Sequence, residues 1–164
     1  MPIIRPAVTA DIPAVLQLLA QVNRIHHEGR PDLFRLATKY GETELSALFS
    51  DPDTPVFVYE DADGAIRGHA FCVVQWVEND RLLCDRKTLY IDDICVDEAC
   101  RGQGAGRALF ARCRDYARER GCRSVTLNVW AFNGPAMHFY EELGMKPRSV
   151  SMEMRLDAEE KEEA

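Results

Sequence analysis

No run of about 20 apolar residues, the length a membrane-crossing helix needs, occurs in the 164 residues of this chain. The longest apolar stretches are short, and 70–77 already contains Gln75. The opening Met1-Pro2-Ile3-Ile4-Arg5 lacks a basic start followed by a long apolar stretch and a small-residue cleavage site, so no secretory leader is expected. The six cysteines, at 72, 84, 95, 100, 113 and 122, form no CxxC pair. That excludes the usual zinc and dithiol signatures and leaves small core side chains or free thiols, as in a cytoplasmic protein. His26-His27 has no further ligand at metal spacing, so no metal is expected.

Basic residues are scarce overall and absent from one stretch. Twenty Lys and Arg stand against 27 Asp and Glu, a net charge of −7. Residues 40–64 hold seven acids and no Lys or Arg, whereas 101–123 hold seven arginines against Asp115 and Glu119. An acidic protein with one concentrated arginine segment is a poor nucleic-acid binder and a reasonable holder of a small polyanion. Residues 157–164 carry five acids and one Lys without apolar periodicity, which predicts a solvated, disordered tail. The length fits one domain, here 1–156.

Hydrophobic spacing supplies the elements. Residues 3–7 read as a short strand, with Pro6 marking an edge. Ile12, Val15, Leu16, Leu19 and Val22 make a helical stripe, with Asp11 as its cap and Gly29 as its stop. Thr43 is expected to cap a second short helix. Residues 56–59 and 65–77 flank an Asp-Gly turn and predict a hairpin, followed by a polar loop at 78–87 and a strand over 89–96. Helices are predicted over 104–120 and from Asn133 to Gly144, strands over 125–129 and, by strict alternation, 150–156. The order is β-α-α-β-β-β-α-β-α-β, an α/β (α+β) domain with a mixed sheet.

The chemistry concentrates in residues 90–106, Tyr-Ile-Asp-Asp-Ile-Cys-Val-Asp-Glu-Ala-Cys-Arg-Gly-Gln-Gly-Ala-Gly. A strand enters a turn bearing Gly102, Gly104 and Gly106, and a helix leaves it. The amides at a helix start lack intrahelical partners and carry partial positive charge, so they can receive phosphate oxygens where glycine lets the main chain approach. Glycines before a helix also serve ordinary turns. No Gly-Lys-Ser/Thr follows, and the G-x-G-x-x-G order is missing, which sets aside P-loop and dinucleotide folds.

Arg101-Gly102-Gln103-Gly104-Ala105-Gly106 resembles the R/Q-x-x-G-x-G/A acyl-CoA signature of the GNAT superfamily of N-acetyltransferases. Downstream, Leu127-Asn128-Val129-Trp130-Ala131-Phe132-Asn133-Gly134-Pro135-Ala136, leading into Phe139-Tyr140-Glu141-Glu142-Leu143-Gly144-Met145, resembles that superfamily's strand, Asn-capped helix and FYxxxGF close, with Met145 in place of the usual aromatic. The opening Ile4-Arg5-Pro6-Ala7 with Asp11-Ile12 is similar as well. The resemblance implies a mostly antiparallel central sheet with helices on both faces and splayed central strands. It implies acetyl-CoA as cosubstrate, with pantetheine along the main chain of Ile94, Cys95 and Val96 and the diphosphate on Arg101, Gly102, Gln103, Gly104, Ala105, Gly106 and Arg107. Asn128, Asn133 and Tyr140 would border the thioester, with Tyr140 as general acid. A phenol, ordinarily of pKa about 10, can donate that proton at neutral pH.

Asp92 and Asp93 are adjacent on a strand, so they are expected on opposite faces, with Asp92 sharing the face of Ile94 and Val96 and one of the two entering the acceptor site. Carboxylates ordinarily titrate near about 4 and primary ammonium groups near about 10, so such a group serves to bind the cation or order water rather than to take its proton directly. The stretch Leu89-Tyr90-Ile91-Asp92-Asp93 is similar to diamine and polyamine acetyltransferases, which makes a small polyamine-like primary amine the first expectation. A protein N-terminus or lysine is the alternative acceptor, and a non-catalytic CoA sensor a third reading. Residues 26–40 and 78–87 are expected to wall the acceptor site. Trp130, Phe132 and Cys95 read as packing residues, and a homodimer is the default for the resemblance.

Overall fold

The computed structural model describes residues 1–157. The strands are β1 (Ile3–Pro6), β2 (Val56–Glu60), β3 (Ile66–Val77), β4 (Arg86–Val96) and β5 (Ser124–Leu127). The helices are α1 (Ile12–Gly29), α2 (Glu42–Ser50), α3 (Ala105–Glu119) and α4 (Gly134–Glu142). The sheet runs β1-β2-β3-β4-β5, antiparallel up to β4, with β5 parallel to β4.

Each sheet face is closed by the helix stripes the sequence encodes. On one side Ile12, Val15 and Leu19 of α1 and Leu45 of α2 meet Val56, Val58 and Phe71. On the other, Leu109, Phe110, Cys113 and Ala117 of α3 meet Phe57, Ala70, Cys72, Leu89 and Ile91, with Tyr140 and Leu143 of α4 packed alongside. Full burial of such a Leu or Phe contributes about 1.5–3 kcal/mol. Asp11 is the N-cap residue of α1, as expected, but its carboxylate makes no cap bond to that helix; it accepts the Val8 N–H at 2.8 Å and binds Arg5, locking the preceding turn. Gly41, not Thr43, opens α2.

Residues 150–156 form no strand in the described structure, although their alternation is that of one. Val150, Met152, Met154 and Leu156 are 75–89 % exposed. A strand needs a hydrogen-bonding neighbour, and none reaches this segment. Of the predicted acidic tail, 158–164 lies outside the described residues. No helix of the described residues is long and apolar enough to cross a membrane.

Two irregularities position the site. The β3–β4 register jumps from Phe71↔Asp93 to Cys72↔Ile91, which leaves Asp92 as the extra residue of a β-bulge. And β5 pairs with only four residues of β4, Thr88 to Ile91, while β4 continues to Val96. Beyond Ile91 the β4–β5 pairing ends, so residues 93–96 are paired with β3 on one edge and, among the described residues, with no strand on the other.

Candidate functional site

The open edge of β4 leads directly into the glycine turn. After a single 3-10 turn at Glu98–Cys100, the chain passes Gly102 (φ +79°) and Gly104 (φ +85°), both in the left-handed region, and enters α3. No side chain caps α3, so its first amides are left for another acceptor. A Cβ on Gly102 or Gly104 would project into open space, and one on Gly106 would meet the Phe139 ring at 3.2 Å, where α4 closes on the start of α3. Of the flanking arginines, Arg101 donates from Nε to the Val96 carbonyl at 3.3 Å, and Arg107 pairs with Glu142 at 3.0 Å. Arg107 thus ties α3 to α4, and its charge is shared with that carboxylate. Gln103 and Ala105 lie within the same turn and helix start.

The main chain of Ile94, Cys95 and Val96 lines the open edge, but the Cys95 side chain turns away from it. Its thiol donates to the Leu18 carbonyl at 3.4 Å under α1, and burial pushes it up to about 12. A thiol held protonated there is a core side chain, not a nucleophile.

The bulge overturns the expected separation of the two carboxylates. Asp92 does not share the face of Ile94 and Val96. Its Oδ2 accepts from Lys39 Nζ at 2.5 Å and from the Tyr40 hydroxyl at 3.1 Å, and Tyr40 stacks on Phe71 over the α1–α2 side. Asp93, paired with Phe71, accepts from His69 Nε2 at 2.6 Å, and His69 meets the Phe71 ring edge-on. Both carboxylates therefore belong to the α1–α2 side, because an inserted residue resets the period-two alternation. Lys39 is held charged: burial works against the ammonium, but the Asp92 carboxylate outweighs it and raises the pKa.

His69 escapes the sequence reading altogether. It is fully buried, and with the carboxylate accepting at Nε2, that nitrogen carries the proton. Its Nδ1 has no hydrogen-bond partner among the described residues. The signal in the sequence is a lone His amid the apolar run of β3, but only the register with β4 shows which acid it serves. Replacing it by alanine removes the partner of a carboxylate that is 13 % exposed and opens a void. His69→Ala is expected to lower unfolding stability by about 2–5 kcal/mol, read by urea denaturation; a loss under 0.5 kcal/mol would contradict the pairing.

Around the carboxylates stands an aromatic wall. His26 lies 5.0 Å from Phe34, Phe34 5.1 Å from Trp130, and Trp130 6.0 Å from Phe132, centroid to centroid. From residues 26–40, Lys39 and Tyr40 reach Asp92, whereas 78–87 lie away from it. That loop sits at the far end of β4, six residues before Asp92 at Arg86, or about 20 Å away at strand rise. Trp130 and Phe132 of the β5–α4 loop, 40 % and 37 % exposed, pack against Phe34 and His26.

Tyr140 approaches from the opposite side, half-buried against Phe110 and Phe139. Burial, with the Asp93 charge added, pushes its phenol well above the ordinary value. The same Asp93 charge acts on His26, whose pKa burial nevertheless lowers. Asn133 caps α4 by accepting the Ala136 N–H at 3.2 Å, and Asn128 donates to the Tyr90 hydroxyl at 3.1 Å at the point of separation. No cluster of three or more metal-ligating side chains occurs among the described residues.

Comparison with known proteins agrees with this geometry. The profile of the acetyltransferase (GNAT) family matches residues 20–145. Glucosamine 6-phosphate N-acetyltransferase 1 of Oryza sativa subsp. japonica is 32% identical over 91% of this chain and 84% of its own. Streptothricin acetyltransferase of Streptomyces lavendulae is 39% identical over 62% of this chain and 49% of its own. The chain spans less than half the length of the first curated relatives it matches. Among solved structures, a point mutant of the BH1408 protein from Bacillus halodurans superposes with a TM-score of 0.91 at 32% identity, over 94% of this chain and 99% of that one. Sheet, glycine turn and profile all lead to one conclusion: the chain belongs to the GNAT family of acetyltransferases.

Proposed function

We propose that the chain is a cytoplasmic N-acetyltransferase that moves an acetyl group from acetyl-CoA to a primary amine by direct transfer. The observation that carries this reading is the open main-chain edge at 93–96 running into the uncapped start of α3. Bound acetyl-CoA supplies an activated acyl group on a thiol leaving group. The chain's own residues supply the rest. The main chain of Ile94, Cys95 and Val96, held by β3 on one edge, turns its other edge to an extended ligand, and the turn at 102–106 offers amides to a diphosphate. A main-chain N–H at the bulge serves the developing oxyanion. The Tyr140 phenol, held protonated, is the donor to the departing thiolate. Asp93, fixed by His69, faces the incoming ammonium beside the aromatic wall.

The acceptor in this reading is a small cationic amine, polyamine-like compounds being the first to try. The acidic pair that suggested polyamines is not free, since Lys39 already neutralises Asp92. An acceptor ammonium must therefore displace Lys39 or settle at Asp93. Replacing Lys39 with methionine is expected to lower KM for a diamine about two- to fivefold, the range for an ion pair about half exposed at the lysine. An unchanged or higher KM would show that Asp92 does not receive the acceptor.

Free-thiol release from acetyl-CoA against a panel of small amines and peptides, with mass spectrometry of the products, tests the whole reading. Acetylated small amines are expected; products confined to peptides would shift it to a protein acceptor, and absence of any product would overturn it.

A further inference from the structure

Direct transfer leaves one proton without a destination. An amine nitrogen that attacks a thioester carbonyl must give up a proton, and neither carboxylate of β4 is suited to take it. Asp92 already accepts from Lys39 Nζ and the Tyr40 hydroxyl, and Asp93 accepts from His69 Nε2 at 2.6 Å. Carboxylates, ordinarily of pKa about 4, are weak bases besides. Three of the four histidines are also engaged. His69 is buried against Asp93, His27 Nδ1 meets the Phe34 carbonyl at 2.6 Å, and His138 lies 3.1 Å from Glu142 on α4. The fourth is His26.

His26 stands in the last turn of α1, about two turns beyond the buried Leu19, so it lies on the helix face that meets the sheet. Its half-buried ring sits between Phe34, 5.0 Å away and tilted by 35°, and Phe132, 6.3 Å away and edge-on. Both neighbours are fixed. His27 holds the Phe34 carbonyl, and a Cβ at Gly29 would run into the Phe132 ring, so glycine there lets the β5–α4 loop close on α1. Neither ring nitrogen of His26 has a hydrogen-bond partner among the described residues. The charged groups acting on the ring are Asp93 of β4 and Lys39 of the segment before α2; Phe34 and Phe132 add none. The two charges oppose each other, and burial tips the balance to the neutral imidazole.

We propose that His26 is the catalytic base: one of its ring nitrogens takes the proton that leaves the acceptor nitrogen during attack on the thioester carbonyl. The inference rests on the acetyl-transfer reading and supplies a group that reading lacks. The acceptor ammonium, held at Asp93, loses its first proton to solvent. The neutral nitrogen then forms the C–N bond, its next proton passes to His26, and the C–S bond breaks as the Tyr140 phenol protonates sulfur. Imidazolium and phenolate exchange one proton through solvent, so both return to their starting states and no further reactant is needed. An imidazole is ordinarily about two units more basic than a carboxylate, and burial keeps this one unprotonated and ready at neutral pH.

The rate against pH, with the most rapidly acetylated amine of the panel, tests the assignment on the full chain. In acid, protons must leave both the amine and His26. The rate should therefore fall twice as steeply with acidity below the His26 pKa, itself under the ordinary value of about 6.5, as above it. His26→Ala is expected to lower kcat about 100-fold or more, to leave acetyl-CoA affinity unchanged by calorimetry and to lose the steep segment, with added imidazole restoring part of the rate. His26→Gln, which keeps much of the packing but offers no basic nitrogen, should lose the same rate and the same segment. An unchanged kcat in either variant overturns the assignment. So does a reduced kcat with the steep segment intact, which would mean that His26 only packs between its two aromatic neighbours. Absence of product from the wild-type chain would overturn the acetyl-transfer reading itself, and this inference with it.

Discussion

Replacing Gly104 with leucine is expected to weaken acetyl-CoA binding about 10- to 100-fold while leaving the chain folded. Gly104 has φ +85°, where an L side chain costs about 1–2 kcal/mol. That strain falls on an exposed turn and shifts the melting temperature by only a few degrees. Binding suffers more. The new side chain would occupy the open space over the turn, where nothing of the protein lies within 4 Å of the added Cβ. It would also turn the first amides of α3 from a bound diphosphate. Each hydrogen bond to a charged group contributes about 1.5–3 kcal/mol, so losing one or two accounts for the range. Calorimetric titration measures it. Unchanged affinity would remove the turn from the cofactor site.

Tyr140→Phe is expected to lower kcat about 100-fold with little effect on acetyl-CoA affinity. General acids contribute about 10²–10⁴, and the low end applies because a thiol, at pKa about 8–9, leaves more readily than an amine or alcohol. The pH profile carries a second readout. Burial and the Asp93 charge raise the phenol, so it remains protonated through neutral and moderately alkaline pH. Rate should rise with pH as the acceptor loses its proton, and fall only above the ordinary phenol range of about 10. In the phenylalanine variant the falling limb should disappear. An unaltered kcat with an unaltered profile would exclude Tyr140 as the acid.

Local features of the fold were legible in the sequence, and contacts set by register were not. The stripes of α1 and α3, the hairpin of β2 and β3 and the glycine turn all follow from residues a few positions apart. The bulge at Asp92 does not: nothing in Asp92-Asp93 announces that one of them is an insertion opposite Phe71 and Cys72. That single residue brings Asp92 to the α1–α2 side, beside Asp93. It also hides their partners, because Lys39 and His69 lie 53 and 24 positions away in the chain. Trp130 and Phe132 read as packing residues and do pack against Phe34 and His26 while staying partly exposed, but aromatic spacing alone names neither partner. The alternation at 150–156 is that of a strand, yet none forms there, because pairing depends on a neighbour that alternation does not reveal.

The account rests on the diphosphate of an acyl-CoA seating on the turn at 102–106 while its pantetheine follows the open edge of β4. Titration of the protein with acetyl-CoA and, separately, with acetyl-pantetheine tests this most directly. One site per chain is expected for acetyl-CoA, with acetyl-pantetheine binding at least about 100-fold more weakly because its contacts with the helix start are gone. Equal affinity for the two compounds, or no binding of acetyl-CoA, would contradict it.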